Sequence, residues 1–228
     1  FEEKKVEEAE VCFLMDRFGY AKTLDKNTYE RNKETVHGEY KYVFTCMNTD
    51  KICLFTNKGQ MHTVKVMDLP DKGVPVDNLS NFLSAQEELL CVSSMEAVKN
   101  SHIIFVTKSG MIKQVPGTEF DVIKRTIAST KLAEDDELVL VDLCDTMDYV
   151  VLQSHDGYFL RFLKEEVPEK KKAALGVRAI KMSDKDYLEH GYLLESRMEY
   201  QIEYKEKQMI LNKIKLGKRD TKGTKVRV

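Results

Sequence analysis

The stretch that decides the fold runs from Ile103 to Val115 and reads IIFVTKSGMIKQV: an apolar run, a polar turn ending in glycine, and a second half-apolar run. The same pattern recurs as CFLMDRFGYAKTL from Cys12, ICLFTNKGQMHTV from Ile52 and VVLQSHDGYFLRF from Val150. Glycine supplies the positive φ of a tight turn, so each copy predicts a β-hairpin. The marker glycines are Gly19, Gly59, Gly110 and Gly157, spaced 40, 51 and 47 residues apart. A strand-rich repeat of this period is typical of a propeller-like array, because one unit cannot bury its apolar face alone.

Each copy extends past its hairpin. Ten residues after the glycine comes an apolar stop, which in the four copies is Tyr29, Leu69, Phe120 and Val167. Paired bases follow the stop as Lys124-Arg125 in the third copy and Lys171-Lys172 in the fourth. A further strand is predicted next, because TIASTKLAEDDEL from Thr126 aligns without a gap with GVRAIKMSDKDYL from Gly176.

The copies divide the chain into one repeat domain, residues 11–228. The repeats lie near 11–47, 48–98, 99–147, 148–196 and 197–228, and in the last one Lys205-Glu206-Lys207 replaces the turn glycine. A divergent terminal copy is normal in stacked repeats. Residues 1–10, FEEKKVEEAE, are interpreted as a solvated connector from an upstream domain in preference to a functional acidic tail. We therefore predict an all-β, propeller-like domain of about five, or six, four-stranded blades.

Composition limits the function classes. The 228 residues are 42% hydrophobic and 32% charged with a net charge of −2, so a nucleic-acid partner would need a local basic patch. No apolar run approaches the ~20 residues of a membrane span, and no signal peptide is visible. The first residue is Phe, which suggests an excised fragment. Five cysteines without CxxC spacing are expected to be buried thiols in a reducing cytosol, with disulfides or zinc as the alternatives.

No catalytic motif is recognised. The histidines are scattered without HxxxH or HExxH spacing and are expected at the surface or in turns. There is no GxSxG, P-loop or GxGxxG pattern. The acids of Asp135–Glu137 could form a Mg²⁺ cluster, but SDKD recurs in the same slot from Ser183, which favours a polar turn.

Several phrases resemble a known family. TKSGMIK from Thr107, the stop at Glu119-Phe120, the following Lys-Arg and GVRAIKM from Gly176 resemble repeats of the C-terminal domain of bacterial type IIA topoisomerase A subunits. The A subunits of this family are those of DNA gyrase and of topoisomerase IV. The opening MDRFGYAKTLD and the closing KLGKRDTKGTKVR resemble the Gram-positive form, and the resemblance covers nearly the whole chain. It implies a β-pinwheel, a disc of four-stranded blades in which a strand of each blade joins a neighbouring one.

The resemblance also implies a function, which is DNA binding and bending around a basic outer rim without base reading. The residues expected to contact DNA are Lys124, Arg125, Lys170, Lys171, Lys172, Arg178, Lys218, Arg219, Lys222, Lys113 and Lys22. Lys33 and Lys72 are weaker candidates. Lys22 and Lys113, three positions past their glycines, are expected to face solvent.

The resemblance places the chain in a larger enzyme. The parent is expected to be an ATP-hydrolysing type II DNA topoisomerase, an isomerase, in a heterotetramer with an ATPase B subunit in the bacterial cytoplasm and nucleoid. The fragment itself is expected to have no catalytic residue, no metal and no cofactor, with ATP and Mg²⁺ bound elsewhere in the parent.

Two departures from the family pattern matter. Gyrase A proteins carry a box close to QRRGGKG, and the nearest segment here is KRDTKGTK at 218–225, which favours the topoisomerase IV A version. The second repeat is also eroded, because Pro75 and Asp77 stand where the fourth has Arg178 and Ile180. A propeller that binds proteins and not DNA is the alternative from a different class, and the near-neutral charge supports it.

Overall fold

The computed structural model describes residues 5–227. Its strands are β1 (Glu10–Met15), β2 (Tyr20–Asp25), β3 (Tyr42–Met47), β4 (Lys51–Thr56), β5 (Gln60–Lys65), β6 (Val74–Pro75), β7 (Leu89–Ser94), β8 (His102–Thr107), β9 (Met111–Pro116), β10 (Thr126–Ala128), β11 (Leu138–Leu143), β12 (Tyr149–Ser154), β13 (Tyr158–Leu163), β14 (Val177–Arg178), β15 (Leu188–Leu194), β16 (Gln201–Tyr204), β17 (Lys207–Ile210) and β18 (Thr224–Lys225). The α-helices in this range are short: α1 (Lys26–Arg31), α2 (Lys33–Glu39) and α3 (Met95–Lys99). Single 3-10 turns lie at Val66–Asp68, Val76–Asn78, Gly117–Phe120, Lys164–Glu166 and Leu211–Lys213.

The strands form four four-stranded sheets, which we call the first to fourth blades. Their strand orders are β3-β1-β2-β6, β10-β5-β4-β7, β11-β8-β9-β14 and β15-β12-β13-β18. In each blade the two middle strands are the hairpin of the repeated phrase, and the pairing is antiparallel. One edge strand comes from the same repeat, whereas the other comes from the next repeat along the chain. The all-β, propeller-like fold predicted from the sequence is confirmed.

The strand exchange sets what lies at the perimeter. The edge strands that return to their own repeat contact one another from blade to blade, β3 with β7, β7 with β11, and β11 with β15. These are the inner strands. The exchanged strands β6, β10, β14 and β18 lie at the opposite edge of each sheet and are therefore outer strands. The loops that lead into them run along the outside of the disc.

The hairpins form for the reason that their sequence predicts. The marker glycines Gly19, Gly59, Gly110 and Gly157 all have positive φ, between 74° and 95°. An L side chain adopts this conformation only at a steric cost, so glycine is the preferred residue. In the fifth repeat Lys205 and Glu206 take positive φ instead, at 49° and 66°, which gives a two-residue turn of type I′.

The fifth repeat differs from the expected four-stranded blade. Within the described residues it forms only the two-stranded sheet β16-β17. Its remaining strand, β18, pairs with β13 and completes the fourth blade, with Phe159 opposite Thr224. The last repeat therefore donates its outer strand to the blade before it, as the second, third and fourth repeats do.

The core lies between adjacent blades. The first middle strands of the blades are buried on both faces, as in Ile103–Val106, where no side chain is more than 2% exposed. The four apolar stops, from Tyr29 to Val167, are also buried. In the second and third blades the rings of Phe55, Phe105 and Phe120 pack edge-on or tilted against one another. This aromatic contact joins neighbouring blades.

The cysteines belong to this core. All five are free and buried, as the sequence predicts. Burial raises the pKa of the Cys12 thiol to about 11 and that of the Cys144 thiol to about 12. The thiols are therefore protonated and unreactive at neutral pH.

Candidate nucleic-acid interface

The predicted basic residues collect in the loops before the outer strands. Lys124 and Arg125 precede β10, and Lys170–Lys172 lie in the loop before β14. Lys218 and Arg219 precede β18 in the same way. Successive blades therefore carry a loop with Lys or Arg side chains at the perimeter, because each outer strand crosses to the preceding blade.

Four of these lysines are exposed and available. They are Lys124, Lys170, Lys171 and Lys218. In the described part of the chain none of their ammonium groups has a hydrogen bond or an ion pair. An ammonium on a solvated stem can reach a phosphate oxygen without first breaking a contact within the protein.

Two other basic residues of the predicted set, Lys172 and Arg219, form hydrogen bonds between neighbouring repeats. The main-chain N–H of Lys172 donates to Oε1 of Glu119 at 3.0 Å, and its Nζ donates to the Glu119 carbonyl at 3.1 Å. The N–H of Arg219 donates to Oε1 of Glu166 at 3.2 Å, and its Nε donates to the Glu166 carbonyl at 2.9 Å. The acid that recurs just before the apolar stop thus receives the base of the next repeat. These two residues were expected to contact DNA, and the structure gives them partners within the protein.

Both remaining arginines of the predicted set are also engaged. Arg178 forms an ion pair with Asp220, and this contact lowers the pKa of the Asp220 carboxyl from its usual value. Arg125 is exposed, but one of its guanidinium nitrogens donates to the Leu79 carbonyl at 2.8 Å. A guanidinium has five donors, so each arginine keeps N–H groups that could face a phosphate.

Lys113 contradicts its predicted exposure. Its side chain is 2% exposed, and its Nζ donates to three main-chain carbonyls, those of Lys171, Lys172 and Ala174. The expectation that Lys113 faces solvent is therefore wrong, because both faces of β9 are covered, and this burial argues against direct contact with DNA. Lys22, at the same offset in the first repeat, is half-buried with its Nζ 5.6 Å from the Tyr40 ring centroid.

Lys222 of the predicted set and the two weaker candidates, Lys33 and Lys72, are spread over the surface. Lys222 is exposed and lies 5.2 Å from the Tyr158 ring centroid. Lys33 lies on α2, with its Nζ 5.8 Å from the Tyr29 ring centroid. Lys72 is exposed in the loop before β6. Each of these ammonium groups remains accessible to solvent.

The burial of His62 was not predicted from the sequence. It is 4% exposed, and its Nε2 lies 3.0 Å from Oε2 of Glu87 while its Nδ1 lies 2.9 Å from Oγ1 of Thr126. The expectation of surface histidines is wrong at this residue. The sequence held no signal for this burial, because Lys113 at the same offset, three positions past its marker glycine, was expected to face solvent.

The candidate carboxylate cluster has the geometry of a turn. Asp135 has φ of 62°, and Asp136 accepts hydrogen bonds from the main-chain N–H and the hydroxyl of Ser109. Among residues 5–227 no group of three or more His, Cys, Asp or Glu side chains could hold a metal ion. No helix in the same range is long and apolar enough to cross a membrane.

Comparison with known proteins agrees with this architecture. Residues 101–145 and 148–192, in the third and fourth repeats, match the family model for the DNA gyrase C-terminal domain, beta-propeller. The DNA gyrase A protein of Lawsonia intracellularis is 26% identical over 213 residues, which is 86% of this chain and 26% of that protein. The DNA gyrase A protein of Helicobacter pylori is 29% identical over 187 residues, covering 75% of this chain and 23% of that protein. The chain thus spans about a quarter of the length of these curated relatives.

Solved structures show the same fold. The C-terminal domain of a DNA topoisomerase IV superposes with a TM-score of 0.81 at 24% identity, over 96% of this chain and 73% of the other. The E. coli ParC C-terminal domain gives a TM-score of 0.74 at 15% identity, over 96% and 94% of the two chains. The repeated hairpins and exchanged outer strands define a β-pinwheel domain. Residues 101–145 and 148–192 match that family model, and the resemblance to the C-terminal domains of the type IIA topoisomerase gyrase A and topoisomerase IV A proteins is confirmed.

Proposed function

We propose that this domain binds duplex DNA at its outer rim without reading base sequence and bends the duplex around the disc. The observation that carries the proposal is the placement of Lys124, Lys170, Lys171 and Lys218, which are exposed and unpaired among the described residues. They lie in loops that lead to the outer strands of three successive blades. Ammonium groups repeated from blade to blade along a curved edge could meet successive phosphates of a curved duplex.

The physics of such a rim is electrostatic. Each phosphate that a lysine neutralises releases condensed counterions, so log K falls with log salt by about 0.9 per contact. Four contacts would give a slope of about −3.6. Bending a site of 20–30 bp by 40–90° costs about 1–6 kcal/mol, which repeated phosphate contacts can offset. The net charge of −2 means that attraction is confined to the rim and that binding should be weak at high salt.

The parent protein is proposed from the comparisons. The curated relatives are DNA gyrase A proteins, and the chain corresponds to about a quarter of their length. We propose that this chain is a non-catalytic accessory domain of a type II DNA topoisomerase that acts in the cytoplasm, at the nucleoid. DNA cleavage, ATP and Mg²⁺ would belong to other parts of that enzyme, including an ATPase B subunit in a heterotetramer.

Two versions of the parent remain in view. The segment at 218–225, which lacks the double glycine of the gyrase box, favours a topoisomerase IV A-like domain, whereas the curated relatives carry the name of gyrase A. Ligating a nicked plasmid in the presence of the domain separates the two. A gyrase-like domain should trap supercoils of one hand in proportion to its concentration, whereas a domain that only selects DNA geometry should trap few.

The alternative function is a protein-interaction propeller without DNA binding. The near-neutral charge supports it, since most of the surface has no basic field. It predicts that neither the unmodified domain nor a variant without the rim charges binds DNA, even at low salt.

The test is fluorescence anisotropy with a duplex of about 40 bp at about 50 and about 200 mM salt. The rim variant is K124Q/K171Q/K218Q, which removes one free ammonium from each of three successive loops. The control with the same change of net charge is K58Q/K108Q/K185Q, whose lysines lie in turns between strands and not in the rim loops. We expect the rim variant to bind more weakly to all sequences with a slope reduced by about 2.7, and the control to change less. Absence of binding by the unmodified domain at low salt would exclude the proposal.

A further inference from the structure

The buried ammonium of Lys113 is bound by the main chain of the fourth repeat's basic loop. Its Nζ donates to the carbonyls of Lys171 at 3.1 Å, Lys172 at 3.0 Å and Ala174 at 2.6 Å. The Phe105 ring covers it at 5.6 Å from the centroid. An ammonium has three donors, and here all three are used on one loop.

The third blade holds the same loop at further points. Gln114 donates from its N–H to the Pro168 carbonyl at 3.1 Å, and the N–H of Lys170 donates to the Gln114 carbonyl at 2.8 Å. Glu119 accepts the N–H of Lys172 at 3.0 Å. The main chain from residue 168 to residue 174 is thus fixed against a blade to which it does not belong in sequence.

This arrangement sets the direction of the free lysines. Because the carbonyls of Lys171, Lys172 and Ala174 point inward to Lys113, the loop is turned so that the side chains of Lys170 and Lys171 are exposed. We propose that Lys113 is a positioning residue, which organises this loop so that Lys170 and Lys171 face the DNA phosphates. The inference rests on the proposed function, and it assigns Lys113 an indirect role in place of direct DNA contact.

The same position contacts the incoming loop in other blades. In the second blade Nδ1 of His62 lies 2.9 Å from Oγ1 of Thr126, directly after Lys124 and Arg125. In the fourth blade Leu160 packs on Gly217, where an added Cβ would lie 3.1 Å from its Cδ1. In the second, third and fourth blades the residue three positions past the marker glycine therefore contacts the segment that enters from the next repeat, whereas Lys22 in the first blade lies near Tyr40.

The charge of Lys113 responds to pH. Burial lowers its pKa to about 8, and the Glu119 carboxylate opposes this shift. The other charged groups around it are Lys172 on the loop, and Lys131 and Asp136 along the adjacent groove. Below about pH 8 the ammonium supplies three donors, whereas the neutral amine above that pH supplies two and leaves one carbonyl without its donor.

The experiment compares the unmodified domain, K113M and K171Q in two measurements. One is anisotropy with a duplex of about 40 bp across a salt series, and the other is hydrogen exchange of the Lys170, Lys172 and Ala174 amides without DNA. We expect K113M to lose affinity by about three- to tenfold because the loop must be ordered on binding, with its salt slope nearly kept. K171Q should lose about 0.9 of the slope while its amides stay protected.

A pH series separates positioning from general structural damage. Raising the pH from about 7 to about 9.5 should weaken DNA binding and loop protection in the unmodified domain but not in K113M. The cysteines do not titrate in this range, because burial raises the pKa of all five thiols. If K113M fails to fold, the pH series on the unmodified domain still tests the role of the ammonium.

The outcomes distinguish the two proposals. Unchanged affinity and amide protection in K113M, or no pH effect in the unmodified domain, would overturn the positioning role while leaving DNA binding intact. Loss of amide protection in K113M with no DNA binding by any form at low salt would instead remove the proposed function. The exchange data report on the loop alone, so the second result cannot be mistaken for the first.

Discussion

The first and third blades share one strand plan but receive their outer strands differently. In the first blade the outer strand β6 follows a short loop from Leu69 and pairs with β2. Pro75 lies opposite Tyr20, and Val74 lies opposite Ala21. In the third blade the outer strand β14 follows a longer loop that carries three lysines, and it pairs with β9. Val177 lies opposite Ile112, and Arg178 lies opposite Met111.

The lysines at equal positions in these blades show what differs. Lys22 in the first blade is half-buried near a tyrosine ring, whereas Lys113 in the third is buried and bound to the incoming main chain. Strand exchange therefore needs only a two-residue pairing. In the third blade a buried polar contact from Lys113 additionally holds the loop that carries the lysines.

The largest effect is expected at Gly117, in the 3-10 turn of the third blade. A Cβ there would lie 1.6 Å from the Val98 carbonyl oxygen and 2.5 Å from that of Ser101. We expect Gly117→Ala to lower the free energy of unfolding by about 3 kcal/mol or more, because main-chain atoms must move. Urea denaturation measures this.

The control for Gly117 comes from the first repeat. Gly38 lies on α2, and no atom lies within 4 Å of an added Cβ there. Gly38→Ala should stabilise the domain by about 0.5–1 kcal/mol, since alanine is the better helix former. Equal unfolding midpoints for the two variants would show that the packing of the third blade is not as tight as described.

The next effect compares the glycines that lead into the two outer strands. A Cβ on Gly176 would lie 2.5 Å from the Ile112 carbonyl oxygen, whereas one on Gly73 would lie 3.7 Å from Cβ of Tyr20. Gly176→Ala should cost about 1–3 kcal/mol of unfolding free energy and Gly73→Ala less than about 0.5 kcal/mol. If thermal unfolding shows the reverse order, the first blade and not the third holds its outer strand closely.

A third comparison replaces the two lysines by methionine. Lys113→Met removes the donor of buried carbonyls and should cost about 1–3 kcal/mol. Lys22→Met loses only a cation–π contact in a half-exposed site and should cost less than about 1 kcal/mol. Chemical denaturation of both variants at neutral pH checks the difference, and equal losses would remove the distinction between the blades.

The smallest effect concerns the rim charges themselves. K170Q/K171Q should reduce the salt slope of DNA binding by about 1.8, and K72Q before the first blade's outer strand by at most about 0.9. A titration of anisotropy against salt measures both slopes. A larger loss for K72Q would make the short loop of the first blade the main contact.

Local sequence predicted the hairpins, because a turn glycine after an apolar run acts within a few residues. The apolar stops and the aligned strands at Thr126 and Gly176 could also be predicted, since both recur at fixed offsets from the marker glycines. Exchange of the outer strands came with the family resemblance. Strand exchange depends on contacts between repeats, and local secondary-structure propensity carries no information about such contacts.

Burial of Lys113 and His62 could not be predicted in the same way. Alternation along β9 places Lys113 on the face opposite to that of Ile112, which suggests a solvent-facing side chain. Both faces of β5 and β9 are covered at these positions by other parts of the disc, so both residues are buried. The short helices were missed because they fill connections, although Asp25 and Ser94 cap α1 and α3 as N-cap residues normally do.

The most direct test of the DNA-binding rim is lysine acetylation with and without a duplex of about 40 bp, read residue by residue by mass spectrometry at low salt. Lys124, Lys170, Lys171 and Lys218 should react freely alone and be protected by DNA. Lys113 should react slowly in both states because it is buried. Lys58, Lys108 and Lys185 should react equally with and without DNA. Unchanged reactivity of the rim lysines, or protection of the turn lysines instead, would contradict DNA binding at the outer rim.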